Sequence, residues 1–552
     1  MARDRWGSKL GVILAVAGSA IGLGNFLRFP GLAAQNGGGA FMIPYFVALV
    51  LLGLPLMWIE WTIGRFGGGF GHSTAPGIFH SLWAKNRFIK YFGVIGIFGP
   101  IVILLYYTYI ESWLLGYSVF ALTGRYNTCT DAAGMQAFLN GYRGLEANAH
   151  FSGKGLAYLF FLITFAINIT IVYGGIRKGI QRVCEWSMPV LFLLAIVLVV
   201  RVFTLGTPDP THPERNVLNG LGFLWNPQWS KLWNVAALDA LKSAAWGSGA
   251  WWTGLAQLVN AKVWLAAAGQ VFFTLSVGIG VILTYASYLE RKDDVALSGL
   301  TAASANEVAE VILGGSIVIP AAFAFFGAGA AQGSLFDLGF VTMPLVLQQL
   351  PLGNLLGFAW FALLFIAGVT SSISLAMPAV VFLQEEFNLT RKEAVAIFAV
   401  VTFVLCHMAI FGLGSGVVDE LDFWGGTLCL VIFGAVETIL FGWVFGMDRA
   451  WTELHTGADI RIPRFYRFII KYVTPAFLLV ILAVYFIQQG VPLLTLREVK
   501  PEHVPAIMLT RIVLILLFIL LSVLVWIAWR RRTVESQVPA ATPDAQTEGG
   551  QP

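Results

Sequence analysis

The chain has 552 residues, 57% hydrophobic and only 12% charged, with a mean hydropathy of +0.76. Soluble domains carry about 25% charged residues, so this composition excludes a soluble globular protein and reads as a polytopic membrane protein. The net charge of +4 is small and spread among loops, which argues against nucleic acid as a partner.

A membrane-spanning helix needs about 20 apolar residues. Twelve candidate spans are predicted, at 9–32, 40–64, 90–123, 155–175, 185–206, 262–290, 296–326, 354–384, 392–412, 422–446, 470–489 and 506–529. The apolar stretch after Arg3, Arg5 and Lys9 outruns a signal-peptide core and lacks an Ala-x-Ala site, so no cleavable leader is expected.

Residues 18–28, GSAIGLGNFLR, interrupt the first span with three glycines, an amide and an arginine. Each Gly costs about 1 kcal/mol in a helix interior, and an embedded charge costs at least about 2.5 kcal/mol. Broken backbone at membrane depth is tolerated where protein buries it or where it lines a cavity. It frees carbonyls for a cation and N–H groups for an anion. The first span therefore reads as half of a site for a solute and an ion.

Residues 123–154, 207–261 and 327–353 form large external loops. In the second, Trp246, Trp251 and Trp252 with Leu255 and Leu258 fit an amphipathic helix on the rim. A packing element over the outer mouth is the favoured role. Lys and Arg concentrate in one set of connections, and 327–353, in the other set, contains neither. By that bias both termini are cytoplasmic. The four cysteines (Cys129, Cys184, Cys406, Cys429) show no framework spacing and are expected to be free packed thiols.

Segment 269–290 is interrupted at mid-depth by Thr274, Ser276, Gly278 and Gly280. It is the sixth span, the first of a second group of five. Paired interruptions at matching positions point to an inverted-repeat transporter with a midplane site. Tight Gly/Ser helix packing is the competing explanation. The expected organisation is a first repeat over 1–206, the loop 207–261, a second repeat over 262–446, two further helices over 447–532 and a disordered tail over 533–552.

Several strings then carry a resemblance. AIGLGNFLRFP (20–30), NGGGAFMIPY (36–45), PLMWIEW (55–61), YYTYIESW (106–113), GQVFFTLSVGIG (269–280), TYASY (284–288), SGLTAASANEVAEVILGGS (298–316), AGVTSSIS (367–374) and DELDFWGGT (419–427) resemble the neurotransmitter:sodium symporter family, over about residues 3–530. The resemblance implies an all-α membrane protein of 12 transmembrane helices. Its architecture would be a 5+5 inverted repeat of the LeuT type with helices 1 and 6 discontinuous.

Sodium is a hard cation suited to oxygen ligands. By resemblance, a first sodium site uses the Ala20 carbonyl, the Asn25 amide oxygen, the Thr274 hydroxyl and carbonyl, the Asn306 amide oxygen and the substrate carboxylate. A second uses the carbonyls of Gly18, Ile21 and Ala367 with the hydroxyls of Thr370 and Ser371. On residue type alone, those hydroxyls read as bonding back to their own helix.

The resemblance also places an amino-acid carboxylate on the Leu23 and Gly24 N–H groups and the Tyr107 hydroxyl. The amine meets the carbonyls of Ala20, Phe273 and Thr274 and the Ser276 hydroxyl. Ile103, Tyr107, Phe273, Ile279, Ser371 and Leu375 line the side-chain pocket. None is charged, so an apolar side chain is expected: leucine-like, methionine-like or aromatic. Ser19, Ile279, Ser374 and Leu375 depart from a bacterial family pattern that has Asn, Phe, Ala and Ile there.

Arg28 and Asp422 match an extracellular gate pair, with Phe273 and Tyr107 as a lid beneath. Arg3, Trp6, Ser287 and Tyr288 match a cytoplasmic gate, with Glu385 where the family has Asp. Glu60 resembles a carboxylate that bonds the unwound backbone. Glu310 stands where chloride-dependent relatives have Ser, which suggests chloride independence. A buried structural carboxylate is the alternative. Glu111 and Glu437 are further intramembrane charges.

The implied function is Na⁺-coupled symport of a hydrophobic L-amino acid across the cell membrane by alternating access. A non-translocating sensor with the same site is the alternative. An enzyme is not expected, because no nucleophile–base pair, zinc motif or P-loop is present. The partners are then a small hydrophobic amino acid, sodium ions and the lipid bilayer. Dimers occur among relatives, and no interface is legible.

Overall fold

The computed structural model describes residues 6–227, 229–233, 235–251, 261–327, 337–486, 490–497 and 499–535, and these contain helices and no strand. The expected all-α membrane architecture is what is observed. Ten helices are long and apolar enough to cross a membrane, and one further bent pair passes the same test together.

The bent pair is α1 (Lys9–Ala20) and α2 (Gly24–Gln35), which meet at 47°. There follow α3 (Gly39–Gly68), α4 (Ile89–Thr123), α5 (Gly155–Tyr173) and α6 (Ile176–Phe203). The predicted span 262–290 is not one helix. It is α7 (Ala261–Leu275) and α8 (Val281–Ala286), each too short to cross alone. The remaining spans are α9 (Val295–Phe326), α10 (Gly353–Phe387), α11 (Arg391–Ser415), α12 (Val417–Val444), α13 (Phe465–Val484) and α14 (Pro501–Arg532).

Both interruptions have local causes. At the first, Ile21 leaves helical geometry at φ −76°, ψ 93°. Gly22 is then required by close approach: a Cβ there would sit 2.7 Å from the Ser371 hydroxyl and 2.9 Å from that of Tyr107. At the second, Gly278 and Gly280 both hold φ of +78°, a region costly for residues with a Cβ. A Cβ on either would also meet a backbone carbonyl at 2.5 Å, that of Leu430 or of Gly96.

Burial ranks the helices. In its most apolar stretch α4 is 89% buried and α14 only 28%, so α4 is central and α14 peripheral. The central helices α4 and α10 pack together, and α1 lies against α6, α9 and α10. This brings both breaks to one level beside Tyr107 and Ser371.

The start of α1 and the end of α14 lie at the same end of the bundle. Lys9 pairs with Asp459 at 3.0 Å, in the α12–α13 connection. Arg65, near the end of α3, donates to the Asp293 and Thr456 carbonyls of that same end. Arg532 pairs with Glu386 at 2.8 Å and reaches His72, just beyond α3. The C-terminal helix continues to Glu535, three residues into the stretch predicted as tail. The rest of that tail lies outside the described residues.

In the loop 207–261, Trp246 is 87% exposed, where the packing role would bury it. Its ring instead meets Trp251, with centroids 5.8 Å apart. Trp252, Leu255 and Leu258 fall outside the described residues. All four cysteines are free.

Candidate functional site

Between the two breaks lies a cavity of about 40 Å³ for the centre of a water molecule. One water needs roughly 10–15 Å³ on that measure, so the chamber is roomy for a few small groups. It is lined by Ala20, Gly24, Ile103, Tyr107, Phe273, Thr274, Ser276, Ile279, Ser371 and Leu375, all of them expected. Leu23 is not on its wall. Its N–H donates to the Tyr107 hydroxyl at 3.3 Å, which ties the break to α4. Ser19, one of the pocket positions that depart from the family pattern, also lines the chamber, as do Gly22 and Leu430, which were not expected there.

The polar groups at its edge do not all point as expected. The Ser276 hydroxyl donates to the Ser19 carbonyl at 2.8 Å, and Ser371 donates to the same carbonyl at 3.1 Å. The reason is geometric: the break leaves the Ser19 carbonyl without a helical partner, and two hydroxyls take it up. The Phe273 carbonyl accepts the Ser276 N–H at 3.4 Å.

Beside the chamber, Asn306 of α9 is fully buried. Its amide lies 3.2 Å from the Thr274 carbonyl and 3.3 Å from the Ala20 carbonyl, and donates to both with its nitrogen on that side. A pocket of oxygens that one amide can either bridge or complete suits a hard cation. Asn25 departs from expectation. Its oxygen accepts the Gly22 N–H at 2.8 Å, and its nitrogen points to Asn306, also at 2.8 Å. The short Gly22–Asn25 turn at the break competes for that oxygen.

Glu310 borders the same cluster and is fully buried. It accepts from the Thr274 hydroxyl, from Gln270 at 2.7 Å, from Asn25 at 3.2 Å and from Asn306 at 3.4 Å. These donors are all neutral. Gln270 was missed in the sequence, although it lies four residues before Thr274 on one helix face.

The second expected cluster is partly assembled. Ser371 reaches the Gly18 carbonyl at 3.4 Å, and the Thr370 Cβ would lie 3.2 Å from a Cβ on Gly18. Thr370 donates back along its helix to Ile366 and Ala367, both at 3.1 Å. Ile21 sits at the break, and its N–H donates to Ala17 at 2.7 Å.

The two residues of the expected outer pair stand apart. Arg28 and Asp422 do not pair directly. Arg28 donates to Gln270 at 3.0 Å and to the Gly269 carbonyl at 3.3 Å, and lies 4.8 Å over the Phe273 ring. Asp422 accepts from Tyr106 at 2.6 Å. Each charge has found a nearer partner on the helix that faces it.

At the opposite end Trp6 donates to the Tyr285 carbonyl at 3.0 Å and meets that ring edge-on at 5.3 Å. Ser287 bonds within its own turn, to Thr284 at 2.7 Å, and the Tyr288 N–H donates to Tyr285 at 3.3 Å. Glu385 accepts the Ser73 N–H at 3.0 Å. Arg3 lies outside the described residues.

Two other buried carboxyls hold helices together. Glu60 accepts the Gly278 N–H at 2.5 Å, and Glu111 accepts from Asn168 at 3.1 Å. Both Glu437 oxygens and the second Glu60 oxygen are buried without a hydrogen-bond partner among the described residues.

The sequence profile of the Sodium:neurotransmitter symporter family matches residues 3–150 and 240–531. The chain belongs to that family. Its members are sodium-coupled transporters and not enzymes. An uncharacterized sodium-dependent transporter of Methanocaldococcus jannaschii is 30% identical over 87% of this symporter and 89% of its own length. The sodium- and chloride-dependent glycine transporter 2 of Xenopus laevis is 25% identical over 88% of the symporter and 65% of its own length. The crystal structure of MhsT in complex with L-phenylalanine superposes with a TM-score of 0.71. It is 29% identical and covers 87% of the symporter and 99% of MhsT.

Proposed function

We propose that the symporter carries a small hydrophobic L-amino acid inward with sodium, across the cell membrane, by alternating access. The observation that carries this reading is the convergence of the Asn306 amide with the Ala20 and Thr274 carbonyls, 3.3 and 3.2 Å away, because Ala20 and Thr274 also line the chamber. An ion held there touches the substrate's own cradle. Ion and substrate then lower each other's binding cost, and that coupling is reciprocal.

The substrate carboxylate sits against the Gly24 N–H and the Tyr107 hydroxyl, at a half-helix start that favours an anion, and reaches the Leu23 N–H once that group gives up its bond to Tyr107. Its amine faces the carbonyls of Ala20, Phe273 and Thr274 and the Ser276 hydroxyl. Its side chain packs among Ile103, Phe273, Ile279, Leu375 and the added Leu430. Support for this class comes from MhsT, which binds L-phenylalanine. Ile279 and Leu430 make the wall aliphatic, and a methylene more or less there shifts preference by about 1–3 kcal/mol.

A second sodium, on Gly18, Ile21, Ala367, Thr370 and Ser371, ties α1 to α10. Its loss releases Thr370 to the back-bonded arrangement and lets α1 swing. Arg28 over Phe273 and Asp422 on Tyr106 are the two halves of an outer gate that closes when they join. Trp6 on Tyr285, with Arg3, Ser287, Tyr288 and Glu385, seals the inner side. Glu310 supplies a fixed negative charge beside the first sodium, so transport needs no chloride. Twelve spans in a 5+5 inverted repeat and cytoplasmic termini complete the reading.

Equilibrium binding of radiolabelled leucine to the purified protein, with and without sodium, tests it. A panel of unlabelled amino acids then competes for the site. Sodium-dependent binding displaced by leucine, methionine or phenylalanine is the expected result. Binding that ignores sodium, or displacement only by charged amino acids, would reject it.

A further inference from the structure

At the end of the bundle that holds Lys9 and Arg532, the α12–α13 connection opens a cleft of about 780 Å³ that shares no lining residue with the transport chamber. Its walls are the end of α12, the helix Met447–Leu454 and the start of α13. The Trp443 indole donates to the Lys471 carbonyl at 2.6 Å and holds the two spans together beside the cleft.

Three cations face this space: Arg449, Arg467 and Lys471. Arg467 is paired with Asp448, the one carboxylate lining the cleft. Arg449 and Lys471 have no carboxylate partner among the described residues. Arg449 instead stacks on Phe445 at 4.4 Å, and Lys471 on Tyr472 at 5.3 Å. The cleft thus keeps two uncompensated positive charges on aromatic supports.

The rim is aromatic and open. Trp443 is 59% exposed, Phe468 61% and Tyr472 47%. Aromatic side chains of this kind sit at headgroup level in membrane proteins. Seven residues along the same face of α13 from Tyr472, Leu479 is 50% exposed, and Val480 beside it 58%. Headgroup-level cations therefore lead onto an apolar, lipid-facing track.

We propose that this cleft binds an anionic phospholipid, with its phosphate between Arg449 and Lys471 and an acyl chain along Leu479 and Val480. Basic pockets between spans on the cytoplasmic side are suited to such headgroups. A freely soluble phosphate explains the cations and leaves the aromatic rim and the apolar track without a role. Asp448 is the unfavourable neighbour, and its pairing with Arg467 offsets that charge.

The test is native mass spectrometry of the full-length protein in detergent. It is titrated with tetraoleoyl cardiolipin, dioleoyl phosphatidylglycerol or dioleoyl phosphatidylcholine. Wild type should retain the two anionic lipids and not the zwitterionic one, and millimolar inorganic phosphate should not displace them. R449Q/K471Q should weaken anionic-lipid retention about tenfold or more, since each near-surface cation contributes to such binding. The charge-preserving R449K/K471R should retain it. R530Q/R531Q, which removes two exposed cations of α14 at the same end, should also retain it. Equal retention of phosphatidylcholine, displacement by phosphate, unchanged retention in R449Q/K471Q or equal loss in R530Q/R531Q would each overturn the proposal.

Discussion

The Glu60 carboxylate accepts the Gly278 N–H at 2.5 Å, so a side chain of α3 holds the non-helical segment between α7 and α8. That segment cannot satisfy its own amides by helical bonds. The hydrogen bond fixes the level at which the sixth span stops being a helix, and with it the position of Thr274 and Ser276. Glu60→Ala should therefore leave a buried amide orphaned, at a cost of about 1–3 kcal/mol. A lower melting temperature and reduced sodium-dependent substrate binding are expected; unaltered values of both would remove Glu60 from this role.

Gly278→Ala should be more severe. Its φ of +78° is strained for any residue with a Cβ, and that Cβ would lie 2.5 Å from the Leu430 carbonyl. A loss exceeding about 1 kcal/mol follows where native φ excludes alanine. Thermal unfolding of the purified variant checks it, with Gly71→Ala as reference. Gly71 also has positive φ but nothing within 4 Å of its Cβ.

How far the site could be read before the fold was seen depends on the residue. The breaks were legible because Gly, Asn and Ser are expensive in an apolar span, whereas the chamber's walls on other helices were legible only through the family resemblance. Ser371 and Thr370 were not legible on residue type alone, since serine and threonine bond back to their own helix. Thr370 does so here. Leu430 carries no signal: it is one leucine in a plain apolar run, selected only by how α12 packs. The Arg28–Asp422 pair was legible as two residues and not as a separation, because each charge is captured by a nearer group.

Asn306→Ala should raise the sodium concentration needed for half-maximal substrate binding by roughly ten- to a hundredfold, as for about 1–3 kcal/mol. A sodium titration of labelled leucine binding measures this. An unmoved midpoint would remove Asn306 from the ion site.

The pair Thr370→Ala and Ser371→Ala separates the two ion sites. Each should weaken sodium dependence while leaving the Asn306 cluster whole. Ser371→Ala should also lower substrate affinity, because Ser371 lines the chamber and Thr370 does not. Identical effects of the two on substrate affinity would contradict that division.

Glu310→Ser should make transport require chloride, since the neutral donors of Thr274, Gln270, Asn25 and Asn306 would then face no anion. An anion-replacement series on the variant reads the outcome directly. The same profile as wild type would discard the fixed-charge role.

The most direct measurement is uptake of labelled leucine or phenylalanine into proteoliposomes under an imposed sodium gradient. The account predicts accumulation that needs inward-directed sodium, persists when gluconate replaces chloride, and collapses when the sodium gradient is dissipated. Equal uptake with potassium alone, or tight binding with no accumulation at all, would contradict it.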